Sequence, residues 1–170
     1  YNDANLGVAT GNNQGIKAAM TNGCEYILIL NNDIEFKRQD FLSELVAQAD
    51  ERKESMMIPK MYYFDTGKVW CAGGEISLWR GMTSHYGENQ NDGPAYSAPK
   101  YVNYAPTCFM LVHRRVFDAI GLMDEKYFVY YDDTDFVYRA NQAGFKIYFQ
   151  PDFKIWHKVS SSTGGAESPF

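Results

Sequence analysis

Apolar and polar positions follow two different periods along this chain, and the switches between them mark its elements. Tyr26-Ile27-Leu28-Ile29-Leu30 is an unbroken apolar run, the pattern of a strand covered on both faces. Just before it, the Ala, Met and Lys content of Asn12-Asn13-Gln14-Gly15-Ile16-Lys17-Ala18-Ala19-Met20 predicts a helix that Asn can cap and that stops near Asn22-Gly23. A helix followed at once by a strand is half of a βαβ unit. After Asp33, apolar residues at 41, 42, 45, 46 and 49 have helical spacing and predict a surface helix over 39–49. Residues 56–64 read as a strand, Asp65-Thr66-Gly67 as a turn and 68–74 as the returning partner.

Gly, Asn, Ser and Pro then crowd residues 80–99, which reads as a long loop and the natural place for a lid. Residues 108–112 form the next apolar strand, 114–120 a short helix closed by Gly121, and 133–142 a helix ending at Gly144. A final strand over 146–150 is expected to stop at Pro151, with 154–157 closing the ordered part before a polar tail over 159–170. Helices alternating with apolar strands predict an α/β fold, and no internal repeat or second domain is visible. The expected unit is a single domain over 1–158.

Composition narrows this picture. The 170 residues are 45% hydrophobic and 16% aromatic, enough for one packed core and too apolar for a disordered chain. A formal charge of −5 argues against a nucleic-acid partner, which calls for a basic stripe, so a bound nucleotide would need a metal. Three cysteines without paired spacing indicate neither a disulfide framework nor a zinc site, which reads as a reducing, cytoplasmic compartment. No apolar run approaches the roughly 20 residues that span a bilayer, so peripheral association with the inner face of a membrane would come from other parts.

The chemistry concentrates in carboxylates. Asp33 stands directly after the apolar run ending Leu30-Asn31-Asn32, at the strand end where open α/β sheets place metal and phosphate ligands. A second acidic group lies in an aromatic stretch, Tyr130-Tyr131-Asp132-Asp133-Thr134-Asp135-Phe136. Charges set among apolar residues need a reason to be there.

Several pieces in order carry a resemblance: Asn5-Leu6-Gly7 with Gly11-Asn12-Asn13-Gln14-Gly15, then Leu30-Asn31-Asn32-Asp33, the Gly73-Gly74 pair, and Phe109-Met110-Leu111-Val112-His113-Arg114-Arg115-Val116-Phe117. Gly121-Leu122-Met123-Asp124-Glu125-Lys126-Tyr127-Phe128 follows, then Asp132-Asp133-Thr134-Asp135-Phe136 with Arg139, Ala143-Gly144-Phe145, Pro151 and His157. Taken together they resemble the inverting nucleotide-sugar glycosyltransferases of family 2, of the GT-A fold, and most of all the rhamnosyltransferase-type branch that builds surface polysaccharides.

That resemblance implies a nucleotide-diphospho-sugar donor, a glycan or lipid-linked saccharide acceptor, and a divalent manganese or magnesium ion, with a donor and metal part in 1–75 and an acceptor and base part in 100–158. Asp33 and His157 match the metal positions, and Asp133 matches the general base, with Asp132 as the alternative. The family's usual D-x-D motif begins here with Asn31, which puts an amide in place of one carboxylate and leaves Asn31 to the ribose or a metal-bound water. Asn5, Gly7, Asn12, Asn13, Gly73 and Gly74 match positions that lie along the nucleotide sugar, while Trp79, Tyr131 and Asp135 fall on the acceptor side.

Each residue also has a plainer explanation. His157 beside Trp156 could simply be packed; Asp132 could cap its helix and Asp135 could pair with Arg139 at i, i+4. Turn and capping chemistry accounts for Asn and Gly without a ligand. Nothing in the chain resembles the opening strand and second βα unit with which family members grip the base, so the N-terminal nucleotide-binding portion is expected to be missing, with an exposed sheet edge that invites association into a homo-oligomer. An inactive glycosyltransferase-like scaffold and a carbohydrate-binding module are the rival readings.

Overall fold

The computed structural model describes residues 3–158. The predicted polar tail at 159–170 lies outside the described residues. Four helices and nine strands are present in that span. In chain order they are α1 (Val8–Thr21), β1 (Tyr26–Leu30), β2 (Ile34–Phe36), α2 (Phe41–Arg52), β3 (Met56–Tyr63), β4 (Val69–Cys71), β5 (Gly74–Ser77), β6 (Met82–His85), β7 (Lys100–Val102), β8 (Phe109–His113), α3 (Arg114–Ile120), α4 (Asp132–Gln142) and β9 (Ile147–His157).

The sheet runs β1-β8-β3-β9-β2, with β4 added to β3 and β7 to β9; β5 and β6 form a separate hairpin. It is mixed, since β3 and β9 pair parallel while β1, β2 and β7 pair antiparallel with their neighbours. No described strand pairs the outer edge of β1. The central strand β3 is buried on both faces along nearly its whole length, as its continuous apolar sequence requires. On one face α2 presents Phe41, Leu45 and Ala49 to the sheet. Phe41 there meets Phe36, Phe109 and Phe153 at centroid distances of 5.2, 5.7 and 5.2 Å, contacts worth roughly 0.5–1.5 kcal/mol each beyond simple burial.

Three expectations are corrected. Helix α1 begins at Val8, behind Gly7, so Asn12, Asn13 and Gly15 lie within it and not ahead of it. The segment 80–99 is not one loop: its start forms β6, paired with β5, and Pro94–Tyr96 makes a turn of 3₁₀-helix. The short strands β2 and β7 carry too few residues for a period to show. Finally, β9 passes through Pro151. Gln150 pairs with Pro59 and Lys154 with Lys60, so Pro151, Asp152 and Phe153 bulge out of the ladder and no N–H is missed at the proline.

Candidate active site

Two pieces of local geometry build the site, and the first is the end of the sheet. Ile34 of β2 pairs with His157 of β9, which brings Asp33, one residue before β2, beside that histidine. Asp33 Oδ1 lies 3.1 Å from His157 Nε2, both side chains being almost buried. Burial pushes the imidazole's pKa down, with the Asp33 charge opposing it, which favours the neutral ring that binds metals. Its Nδ1 is buried and has no hydrogen-bond partner among the described residues.

The pair suits a small divalent ion. A carboxylate oxygen and an imidazole nitrogen about 3 Å apart match adjacent corners of an octahedron with bonds of about 2.1 Å, and magnesium-type sites take one or two protein ligands plus phosphate and water. No cluster of three or more His, Cys, Asp or Glu side chains able to hold a metal occurs among the described residues. Asn31 and Asn32 are exposed in the turn after β1, where the Asn31 N–H bonds to Cys108 O at 2.9 Å.

The second piece is the start of α4. Tyr130 and Tyr131 both adopt left-handed backbone, φ 65° and 62°, a costly conformation for aromatic residues that tends to collect at functional sites. This corner turns the chain into α4 with three carboxylates in its first turn. Asp132 is the first helical residue, so the capping position falls to Tyr131, which caps with no side-chain bond. Asp133 is only half-buried; its Oδ2 accepts from the Tyr104 hydroxyl at 3.0 Å and its Oδ1 from the Thr134 N–H at 2.6 Å. Asp135 pairs with Arg139 at 2.8 Å, and that guanidinium also binds the carbonyls of Ile120 and Leu122. Asp135 thereby fastens the α3–α4 connection.

Asp132 is buried, and burial together with the Asp133 charge raises its carboxyl from 3.8 to about 6. Between those values the folded state holds a proton that the unfolded chain has released, so this group makes stability fall as pH rises through roughly 4 to 6. Asp132→Asn is therefore expected to stabilise the domain by about 1–2 kcal/mol at pH 7.5 and to gain little below pH 4. Thermal melts across that range check it; a uniform gain at every pH would show a different origin.

A row of rings joins the two pieces. Trp70 of β4 meets His157 at 4.5 Å and His85 of β6 at 5.0 Å, both edge-on. His85 in turn stacks on Tyr104 at 5.8 Å and 18°, and Tyr104 bonds to Asp133. Asp33 and Asp133 thus stand at the two ends of one wall, and both lie close enough to the buried Cys108 thiol to raise its pKa, after burial itself. Neither His85 nor Tyr104 was marked by the sequence; only the pairing of β5 with β6 and of Gly74 with Tyr104 brings them in.

Next to Asp133, which is itself outside the lining, opens a cavity of about 340 Å³ between the β5–β6 hairpin and α4, lined by Ile76, Leu78, Met82, Thr83, Tyr131, Thr134, Asp135 and Tyr138 among others. Of the residues expected on the acceptor side, Tyr131 and Asp135 line it. Trp79 stands in the hairpin turn, 93% exposed, outside the lining.

The residues expected along the donor mostly bond to the chain itself. Buried Asn13 gives both amide hydrogens, to Met123 O and Glu125 Oε1, and accepts from the Met123 N–H, which uses three of its four possible bonds. Asn12 reaches Met123 Sδ at 3.6 Å, and Asn5 Oδ1 accepts from the Gly7 N–H. Gly7 has φ 84°, and a Cβ there would lie 2.6 Å from Phe128 O. Together these join the start of α1 to the segment before α4. Gly73, φ 79°, leaves room for Val102, and Gly74 for Ser84 and Tyr104.

Comparison with known proteins places the chain in a family and a fold. The family model described as glycosyltransferase like family 2 matches residues 33–168. The dTDP-rhamnosyl transferase RfbF of Shigella flexneri is 24% identical over 94% of this chain and 51% of its own length. The low-salt glycan biosynthesis hexosyltransferase Agl10 of Haloferax volcanii is 28% identical over 84% of this chain and 46% of its own. The chain therefore spans about half the length of these two relatives. Among solved structures, GalNAc-T7, crystallised with UDP, GalNAc and Mn2+, superimposes with a TM-score of 0.68 at 15% identity, over 92% of this chain and 31% of that one. The shared architecture is the GT-A arrangement of a mixed sheet flanked by helices. On the match over most of its length, with rhamnosyl- and hexosyltransferases as its relatives, the chain belongs to the glycosyltransferase-like family 2.

Proposed function

We propose that this domain transfers a sugar, with inversion, from a nucleotide-diphosphate donor to a hydroxyl of a glycan acceptor. The observation that carries the reading is the ring wall His157–Trp70–His85–Tyr104, which sets the Asp33–His157 pair at one end and Asp133 at the other. Inversion needs that separation, because the base and the leaving group must act on opposite sides of the reacting carbon.

Asp33 and His157 would hold a manganese or magnesium ion, which neutralises charge on the departing diphosphate when bound. Asp133 takes the proton of the acceptor hydroxyl as its oxygen bonds to the anomeric carbon and the bond from that carbon to the diphosphate oxygen breaks. Tyr131 and the hairpin face the acceptor in the cavity beside that base, and their cover limits water, which would otherwise hydrolyse the donor. Names of relatives suggest dTDP-rhamnose first among donors, and a glycan as product.

Incubating the intact protein with manganese and a panel of dTDP-, UDP- and GDP-sugars tests this. Metal-dependent release of nucleoside diphosphate from at least one donor is expected. Asn31, where the family usually has Asp, favours one alternative, an inactive scaffold of the same fold. Failure to turn over any donor, with no metal-dependent nucleotide binding, would establish that alternative instead.

A further inference from the structure

We propose that Tyr104 is a positioning residue that holds the Asp133 carboxylate at the edge of the acceptor cavity, and that Gly74 and His85 form the seat of its ring. This rests on reading Asp133 as the base. The Thr134 contacts to Asp133 come from the adjacent residue on the same helix, at 2.6 Å from its N–H and 3.2 Å from its hydroxyl. They travel with α4. The Tyr104 hydroxyl reaches Asp133 Oδ2 from another part of the fold, 29 residues away in sequence, and so fixes the carboxylate relative to the sheet.

The same hydroxyl meets Thr83 of β6 and Thr134 of α4, which line opposite walls of the cavity. One phenol oxygen therefore joins the base to both walls that an acceptor would touch. Its single proton goes to the carboxylate, the strongest acceptor present, while the Thr83 hydroxyl can donate to it; the Thr134 hydroxyl gives its own proton to Asp133 Oδ1. Burial, then the Asp133 charge, pushes the phenol's pKa upward, so it remains a donor at any working pH.

The ring cannot easily turn away. Tyr104 is buried, its N–H bonds to Gly74 O at 3.3 Å, and Gly74 in turn pairs with His85. A Cβ on Gly74 would overlap Ser84 O and lie 3.0 Å from Tyr104 Cδ1. The absent side chain is what lets the Tyr104 ring settle there and stack on His85. The glycine pair singled out by the sequence thus serves the base through the tyrosine.

Tyr104→Phe keeps the ring and removes the hydroxyl. Besides Tyr104, the titratable groups facing Asp133 are Asp132 on its own helix, His85 on β6, and the buried thiols Cys71 on β4 and Cys108 ahead of β8. A carboxylate that loses a donor binds its proton more tightly. Carbon-13 NMR of the carboxyl groups, with the Asp133 signal identified by its loss in Asp133→Asn, should show its midpoint about half a unit to one unit higher in Tyr104→Phe. With a donor that the intact wild-type protein turns over, kcat should fall about 10- to 100-fold while the donor KM stays within about twofold.

An unchanged midpoint, or a rise in KM with kcat preserved, overturns the proposal while the transferase reading stands. No turnover by the wild type with any donor of the panel overturns the base reading and this proposal with it.

Discussion

Asp133→Asn lowers kcat by about two to four orders of magnitude and leaves donor affinity within about twofold, the range typical for removal of a general base. The amide keeps the size of the carboxylate; its one oxygen can still accept from the Thr134 N–H while its NH2 donates to the Tyr104 oxygen, so the fold and the donor side are undisturbed; what it cannot do is take the acceptor proton. Single-turnover assays on the intact protein, with nucleotide binding measured separately by calorimetry, distinguish the two effects. Asp132 supplies the control. It is 5% exposed where Asp133 is half-buried, so it is less able to meet an acceptor hydroxyl and Asp132→Asn should retain most of the turnover. The opposite ranking of the two variants would transfer the role of base to Asp132.

The second large effect concerns the other end of the ring wall. Asp33→Ala is expected to weaken manganese-dependent binding of a nucleoside diphosphate by about 10- to 100-fold, in line with losses seen when metal-site groups are removed. Asp33 is the anionic member of the pair, and His157, kept neutral by burial, cannot replace its charge. Calorimetric titrations with manganese and then with EDTA check this. Equal binding in both would mean that the diphosphate is held without a cation, and the metal assignment would fall.

Much of this was legible in the sequence where a period ran long enough to be read. The β1 run and the apolar spacing of α2 gave those elements to within a few residues. Both acid groups were found by the same reasoning, since charges in apolar surroundings stand out. What escaped was non-local. Asp33 and His157 meet because β2 pairs with β9, and β2 has three residues. Tyr104 and His85 look like ordinary aromatic positions until Gly74, pairing with both, brings them together. Asn13 shows the converse: a buried amide that binds its own chain has the same sequence signature as one that binds a nucleotide.

Lys60 sits in the middle of β3 and is 2% exposed, its ammonium 2.7 Å from Asp92, which also accepts from the Tyr62 hydroxyl at 2.5 Å. Because an ammonium sealed in the interior without its counter-ion costs about 3–5 kcal/mol, position 92 is not free to drift alone. Loss of that acid must be preceded or accompanied by an apolar replacement at 60, such as methionine. The strap after the hairpin and the central strand consequently evolve as a coupled pair, while the hairpin turn carrying Trp79 is left at liberty to vary with whatever it meets.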